Sequence, residues 1–534
     1  MLIDPREREF TTAWSRWVYL NPFDHPETRS LHEQLHRPGL DIEEAAQRRP
    51  PVATPRLFVD GLTRRVEALL ARLNERLRAG ARPDDQAEMH AYEDLYFAPI
   101  YFRWFDGDDL LQAAGDGTAR IAAYPAFVAA CREWTDVPVE LGQFFRDPAR
   151  MFAILFQLRR SFALVSTLLQ GNSRPAARLR GAVWNSIFPH ERRLYGTLLF
   201  DRMHEVTTLI LGPSGTGKEL VATAIGLSRF VPFDARRHCF TEAFGGAFHP
   251  INLSALPGDL VESEMFGHCA GSFTGAVKDR VGWFERCASG HSVFLDEIGE
   301  LSPAVQVKLL RVLQSREFYR VGETDPRGFA GRIIAATNRD LGNEITGGRF
   351  RADLYFRLCS DVVRTPSLRD QLDDCPSDLP VLVRLIALKC LSSRAWPEQI
   401  DWLTDLSVNW IENSPEVGTT YAWPGNFREL EQCVRSIMVR GEYHPPLAPQ
   451  QLAAATNRAQ SSAPSMTPGG GALNRFVAQL RAGELSLDEV LAGYCSLIMA
   501  RSPNLAAAAR KLGKHRATVQ ERIDPKLVAD FRAG

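Results

Sequence analysis

Lysine is absent from the first 217 residues of this 534-residue chain, where arginine carries the positive charge; the first lysine is Lys218. None of the nine cysteines forms a CxxC pair. That spacing speaks against a zinc site or a disulfide framework and fits a reducing compartment. No uninterrupted apolar run reaches the ~18 to 20 residues that span a bilayer. The opening MLIDPREREF lacks the basic and apolar blocks of a signal peptide. A cytoplasmic location without membrane contact is therefore expected. Net charge is nearly absent as well, at -1. No global field draws in nucleic acid, so any DNA-binding surface must be local.

The length suggests about three or four domains at roughly 150 residues each. Residues 1–178 read as one mainly helical region. Leu62, Val66, Leu69, Leu73 and Leu77 make a helical stripe closed by Gly80. Residues 151–170, MFAILFQLRRSFALVSTLLQ, read as a buried helix. The aromatic run YEDLYFAPIYFRWF between them reads as core, with a ring-lined ligand pocket as the sharper option. From about 180 the pattern changes to short apolar strands alternating with helices: TTLILG, HSVFLDE and GRIIAATN. Such runs predict buried parallel strands of an α/β sheet. Residues 179–362 form that α/β unit, and 363–454 read as helical. The composition of ATNRAQSSAPSMTPGGGA marks 455–480 as a linker, and 481–534 form a small helical unit. The expected fold is thus multidomain: an α/β P-loop core with a helical lid, a mainly helical N-terminal regulatory region, and a C-terminal helix-turn-helix.

LGPSGTGKE, residues 211–219, follows a predicted strand and opens a predicted helix. In that context Gly212, Pro213, Ser214, Gly215, Thr216, Gly217 and Lys218 form a phosphate loop. Backbone N–H groups and the helix N-terminus face phosphate, and Lys218 reaches the β- and γ-phosphates of ATP. Glu219 stands where a Ser or Thr hydroxyl usually holds Mg²⁺. VFLDE puts Asp296 beside the metal and Glu297 where a water could attack the γ-phosphate. Asn338 ends the next strand and is placed to sense that phosphate. Arg351 and Arg357 in RFRADLYFRL could supply transition-state charge from a neighbouring subunit, which requires an oligomer.

Together these stretches resemble the AAA+ activators of bacterial sigma-54 RNA polymerase, the enhancer-binding proteins. The likeness runs through GPSGTGKE, ALPGDLVESEMFGHCAGSFTGA, GWFERCASGHSVFLDEIGELSPAVQVKLLRVLQSREFYRVG, RIIAATNRDL, GRFRADLYFRL and WPGNFREL. Glu219 is regular for that family; Pro213 is the local departure. The resemblance implies that Gly271, Ser272, Phe273, Thr274, Gly275 and Ala276 form a loop that contacts sigma-54 rather than nucleotide. Two glycines that let a loop extend, with a rigid ring at its tip, suit protein contact. Ser272 replaces the usual alanine, which leaves room for altered coupling. The resemblance further implies that Asn252 pairs with Glu297 as a switch, and that Arg351 and Arg357 act in trans. Arg428 would be the lid's sensor arginine. It implies ATP and Mg²⁺ as cofactors, with Asp296 as metal ligand, a hexameric ring, and the sigma-54 polymerase holoenzyme as partner.

Residues 504–523, NLAAAARKLGKHRATVQERI, read as helix-turn-helix. Ala508, Leu512, Val519 and Ile523 face inward, and His515, Arg516, Thr518, Gln520 and Arg522 are left for double-stranded DNA. Residues 504–534 hold seven Lys and Arg against three acids, which suits phosphate contact. The unit resembles the Fis-type DNA-binding domain of the same family, and a dimer would favour a palindromic upstream site. Activators of this family often begin with a receiver domain, which needs a lysine; the lysine-free, helical reading of the N-terminal region speaks against one. The N-terminal region is expected to sense an unknown ligand or partner and to restrain the ATPase. The extra residues near 236–249 have no role readable from sequence. Two other readings stand beside the activator: an AAA+ remodeller of a different target, and a non-enzymatic DNA-binding regulator.

Overall fold

The computed structural model describes residues 2–23, 55–105, 107–190, 192–391, 396–418, 420–445, 476, 486–502 and 504–533. Residues 1–446 pack as one compact unit and 447–534 as a second. The expected linker, 455–480, lies outside the described residues apart from Phe476.

The first unit begins with helices α1 (Pro5–Val18), α2 (Pro55–Arg78) and α3 (Gln86–Phe105). Helix α1 opens on a capping box in which Asp4 and Glu7 satisfy each other's backbone N–H groups. Glu7 also accepts from Arg76 at 2.6 Å, which ties α1 to α2. The expected stripe on α2 is buried throughout, from Leu62 to Leu77, and the chain turns at Gly80 with φ +99°. The aromatic run falls on α3. Tyr92, Tyr96 and Phe105 are buried against other rings, so the core reading holds there.

Helix α4 (Pro148–Leu168) is capped by Asp147 and buries Met151 through Phe156. It is long and apolar enough to cross a membrane by length and composition alone. In the fold it is a core helix with Arg160 buried on it. Helix α5 (Arg174–Ile187) follows, capped by Ser173. Here the structure departs from the expected domain cut at 178/179. That cut runs through α5, whose Val183, Trp184 and Ile187 share one core with Ile210, Ile225 and Ile334 of the α/β layer.

Five parallel strands form the central sheet: β1 (Thr208–Leu211), β2 (Phe248–Asn252), β3 (Ser292–Asp296), β4 (Arg332–Thr337) and β5 (Asp361–Arg364). Their order is β5-β1-β4-β3-β2. Three were expected; β2 and β5 were not. The expected cut at 362/363 passes through β5. Register aligns the C-terminal ends: Leu211 stands opposite Thr337 and Arg364, and Asn252 opposite Asp296. A parallel sheet gathers its ligands at that edge. Helix α6 (Lys218–Leu227) follows β1 and packs on the sheet. Helices α7 (Gly258–Phe266), α8 (Pro303–Ser315) and α9 (Ala352–Leu358) complete the layer. The lid is α10 (Leu368–Asp374), α11 (Asp378–Leu391), α12 (Pro397–Asn413) and α13 (Asn426–Arg440), around a core of its own.

The unexplained insertion is a docking plate. Phe233 pairs with Phe240 across a two-stranded hairpin. Phe233 lies 4.7 Å from the Phe152 ring and Phe240 lies 4.6 Å from that of Phe156. Backbone bonds seal the seam: Ile121 N–H to His238 O at 2.7 Å, Phe240 N–H to Gly117 O at 3.0 Å, and Phe244 N–H to Asp116 O at 2.7 Å. The N-terminal helices are thereby welded to the α/β layer through this hairpin.

Truncating an aromatic in such a core costs about 3–5 kcal/mol. Phe240→Ala is expected to release the seam locally. Hydrogen exchange should show amide protection falling across 116–121 and 233–240 while β1 and β4 keep theirs. Uniform loss, or none, would show that the hairpin is not what holds the layers together.

Candidate functional site

Helix α6 has its N-terminus at the sheet edge because Gly217, at φ +85°, turns the chain from the loop into the helix. Gly215, at φ +77°, is required for a second reason. A Cβ there would sit 2.3 Å from the Gly425 carbonyl oxygen, so the lid rests directly on the loop. Phe427 N–H donates to Gly215 O at 3.0 Å, and the Asn426 amide donates to Ser214 O at 3.0 Å. Arg428, the expected sensor, donates to Ser214 Oγ at 3.2 Å. Asn426 is a residue the sequence reading passed over. It sits at φ +52° and also accepts from Leu368 N–H at 2.9 Å, so one side chain joins the loop to the lid's entry. Thr365 is another. Its hydroxyl pairs with Thr216 Oγ1 at 2.7 Å, just past the end of β5.

Lys218 is buried and donates to the loop carbonyls of Gly212 and Pro213 at 3.2 Å each. Burial pulls its pKa down, opposed by the charges of Glu297 and Asp296. Burial likewise raises the pKa of Asp296, opposed by Lys218. The lysine and the acidic pair thus share one electrostatic site. Glu297 is a non-glycine residue in the left-handed region, φ 57°, ψ 51°, a strain that concentrates at functional positions. Its N–H donates to Asp296 Oδ1 at 3.0 Å, and its carboxylate accepts the Asn338 N–H at 3.2 Å. Asn338 is therefore brought to Glu297 by its backbone.

Asn252 is placed in register with Asp296, yet it does not pair with Glu297. Its Oδ1 accepts from Ser254 N–H at 3.1 Å and Ser254 Oγ at 2.8 Å, because it caps the short turn that follows β2. Arg351 and Arg357 make no hydrogen bond or ion pair with the loop or the acidic pair. Arg351 immediately precedes α9, pairs with Asp353 at 2.7 Å, and has its N–H held by the buried Gln306 at 2.9 Å. Arg357 is exposed beside Phe356, which is 74% exposed. Glu219 is exposed on the first turn of α6.

The glycine-rich loop stands on a stalk in which Gly267 pairs with Val281. Gly271 N–H donates to Ala276 O at 2.7 Å and Ala276 N–H to Phe273 O at 3.0 Å, closing a tight turn. Phe273 is partly exposed, its ring centroid 4.9 Å from that of His268 in an edge-on arrangement, and Val277 beside the turn is 83% exposed. His268 is itself anchored to Ser263 of α7 at 2.6 Å. Gly271, Thr274 and Gly275 are exposed, and Ala276 is buried. Ser272 lies against Gly322, where a Cβ would approach its own Cβ to 2.6 Å. The Ser272 hydroxyl is buried with no partner.

In the second unit, Asn504 caps a helix at Leu505–Leu512, Gly513 turns at φ +61°, and His515 precedes the helix Arg516–Arg522 without a side-chain cap. Ala508 and Val519 are buried, Leu512 and Ile523 half-buried. His515, Arg516, Thr518, Gln520 and Arg522 are all exposed.

Sheet order, phosphate loop and acidic pair define a P-loop nucleotide-binding domain. The family model described as "Sigma-54 interaction domain" matches residues 198–363, and that part of the chain is such a domain. The Nif-specific regulatory protein of Azotobacter vinelandii is 42% identical over 46% of this chain and 42% of its own. The hydrogenase transcriptional regulatory protein HoxA of Bradyrhizobium diazoefficiens is 37% identical over 60% and 59%. The DNA-binding transcriptional regulator NtrC of Azospirillum brasilense is 36% identical over 53% and 54%. The chain spans about half the length of these curated relatives.

A buried hydroxyl with no partner costs about 1–3 kcal/mol relative to none. Ser272→Ala is therefore expected to keep or raise the thermal unfolding midpoint. A clear drop would mean that the hydroxyl has found a partner in solution.

Proposed function

We propose that this chain is an ATP-dependent transcriptional activator that binds upstream DNA and remodels the closed complex of sigma-54 polymerase. One observation carries the reading. A phosphate loop and strained acid on one sheet edge share a domain with an aromatic-tipped loop braced on Gly322. Lys218 would hold the β- and γ-phosphates. Glu297 would orient the attacking water, and Asn338 would report the γ-phosphate to it. Arg428 would close the lid over the nucleotide.

The donor set suits Mg²⁺, which keeps several waters and binds through one or two carboxylates plus phosphate oxygens. Asp296 would be that carboxylate, and bound Mg²⁺ would supply charge neutralisation. Arg351 and Arg357 would serve a neighbouring subunit in a hexameric ring, with exposed Phe356 supplying apolar contact at that seam. His515, Arg516, Thr518, Gln520 and Arg522 would meet DNA, with a palindromic site if the unit dimerises. The setting would be the cytoplasm.

The N-terminal region is proposed to restrain the ATPase through α6. Arg160 donates to the carbonyls of Leu227 and, at 2.6 Å, Arg229. Gln157 donates to Ser228 O at 2.7 Å. These are orphan carbonyls at the C-terminal end of the phosphate-loop helix, where a cation is favoured.

Glu297→Gln is expected to lower ATP turnover by about 10²–10⁴-fold. Phe273→Ala should keep turnover and lose ATP-dependent promoter melting on a sigma-54 promoter. Melting that survives Phe273→Ala, or turnover without melting in the intact chain and in one lacking residues 1–173, would favour a remodeller of another target. No turnover in either form would favour the non-enzymatic regulator. Arg160→Met should raise basal turnover at least about threefold by freeing α6. Unchanged or lower turnover would make that contact purely structural.

A further inference from the structure

Thr365 is placed by the sheet and faces the phosphate loop. Its N–H donates to Leu211 O at 2.9 Å, which carries the pairing with β1 one residue beyond β5. The residue is buried. Its side chain occupies space that Gly212 leaves free: a Cβ on Gly212 would stand 2.0 Å from Thr365 Oγ1. The glycine is thus matched to this hydroxyl.

Proton counting fixes the direction of the hydroxyl chain. Thr216 Oγ1 lies 2.8 Å from Pro213 O and 2.7 Å from Thr365 Oγ1. A carbonyl only accepts, so the Thr216 proton goes to Pro213. The Thr365 proton then goes to Thr216, since its other acceptor, Leu211 O, is more distant at 3.4 Å. Pro213 O also accepts from Lys218 Nζ at 3.2 Å, as does Gly212 O. One chain of hydrogen bonds therefore runs from Thr365 through Thr216 and Pro213 to the lysine ammonium.

The lid begins where this chain starts. Pro366 follows Thr365, and Ser367 caps α10. The other end of the lid holds the next two loop carbonyls: Asn426 donates to Ser214 O and Phe427 N–H to Gly215 O, both at 3.0 Å. Three successive carbonyls of the loop thus have fixed donors, and the first of them depends on Thr365.

We propose that Thr365 is a positioning residue for nucleotide binding: through Thr216 and Pro213 its hydroxyl holds Lys218 where a β-phosphate is met, and ties that grip to the lid's entry. This rests on the reading of 212–218 as a phosphate loop. An ammonium fixed before the nucleotide arrives gives up less freedom on binding. Without the Thr365 donor, Thr216 is free to turn, and one of the two acceptors of Lys218 turns with it. A shift of the lid's entry reaches the lysine by the same route.

The test is calorimetric titration of the full chain with ADP in the presence of Mg²⁺. Thr365→Val keeps the shape and removes the hydroxyl. Thr365→Ala removes hydroxyl and methyl, and Thr365→Ser removes the methyl alone. The valine and alanine variants should bind ADP about fivefold more weakly or worse, the order of one hydrogen bond. The serine variant should stay within about twofold of the unaltered chain. A side chain that only filled space would give the reverse order, with valine harmless and serine weak. Circular dichroism establishes that each variant is folded; should the valine variant fail to fold, the comparison of alanine with serine decides. Unchanged affinity in Thr365→Val, or a serine variant no better than alanine, overturns the proposal. An unaltered chain that binds no ADP overturns the phosphate-loop reading itself, and the positioning role with it.

Discussion

Helix α6 is held at both ends, and the rest of the molecule is arranged around that fact. Its N-terminus must stay open to phosphate while being covered by a lid, so the lid touches the loop through backbone atoms and Asn426. Its C-terminus packs against α4. Arg160 and Gln157 take the last carbonyls there. A buried guanidinium without a carboxylate is costly to desolvate. Several charge-assisted bonds to one helix end offset that cost. The N-terminal layer, the hairpin that clasps it, and the nucleotide site thus share a single rigid rod about 15 Å long at 1.5 Å per residue.

Much of the nucleotide site was legible because its chemistry is local. LGPSGTGKE and VFLDE each carry strand, turn and function within a few residues, and the structure brings Lys218, Asp296, Glu297 and Asn338 to one edge. The residues that were missed act across long separations. Asn426 joins Ser214 to Leu368, and Gln306 holds Arg351 from 45 positions away. A buried glutamine in a helix carries a faint signal, and an asparagine at φ +52° almost none. Strands β2 and β5 escaped because a proline interrupts one and charged ends bound the other. The Asn252–Glu297 pairing, taken from family resemblance, gave way to the nearer Ser254, since a cap two residues on costs little chain entropy.

The insertion shows how a stretch without motif acquires a role. Phe233, Phe240 and Phe244 are unremarkable in sequence, and only their partners on α4 give them purpose. Ser272 illustrates the converse. A change within the most recognisable loop of the chain alters no hydrogen bond, because its hydroxyl has none.

Helix α5 has a consequence for ancestry and engineering. Its first turn is tied to the lid: Asp378, wholly buried, accepts from Asn172 N–H at 2.7 Å and Ser173 N–H at 2.9 Å. Its last turns are core for the sheet. Proteins assembled from modules can trade them when the seams are short exposed connectors. Here the seam is a load shared by three layers, so a foreign sensor spliced at residue 178 would inherit half a helix and orphan the other half. The N-terminal helices and the α/β layer of this chain can diverge only as a matched pair.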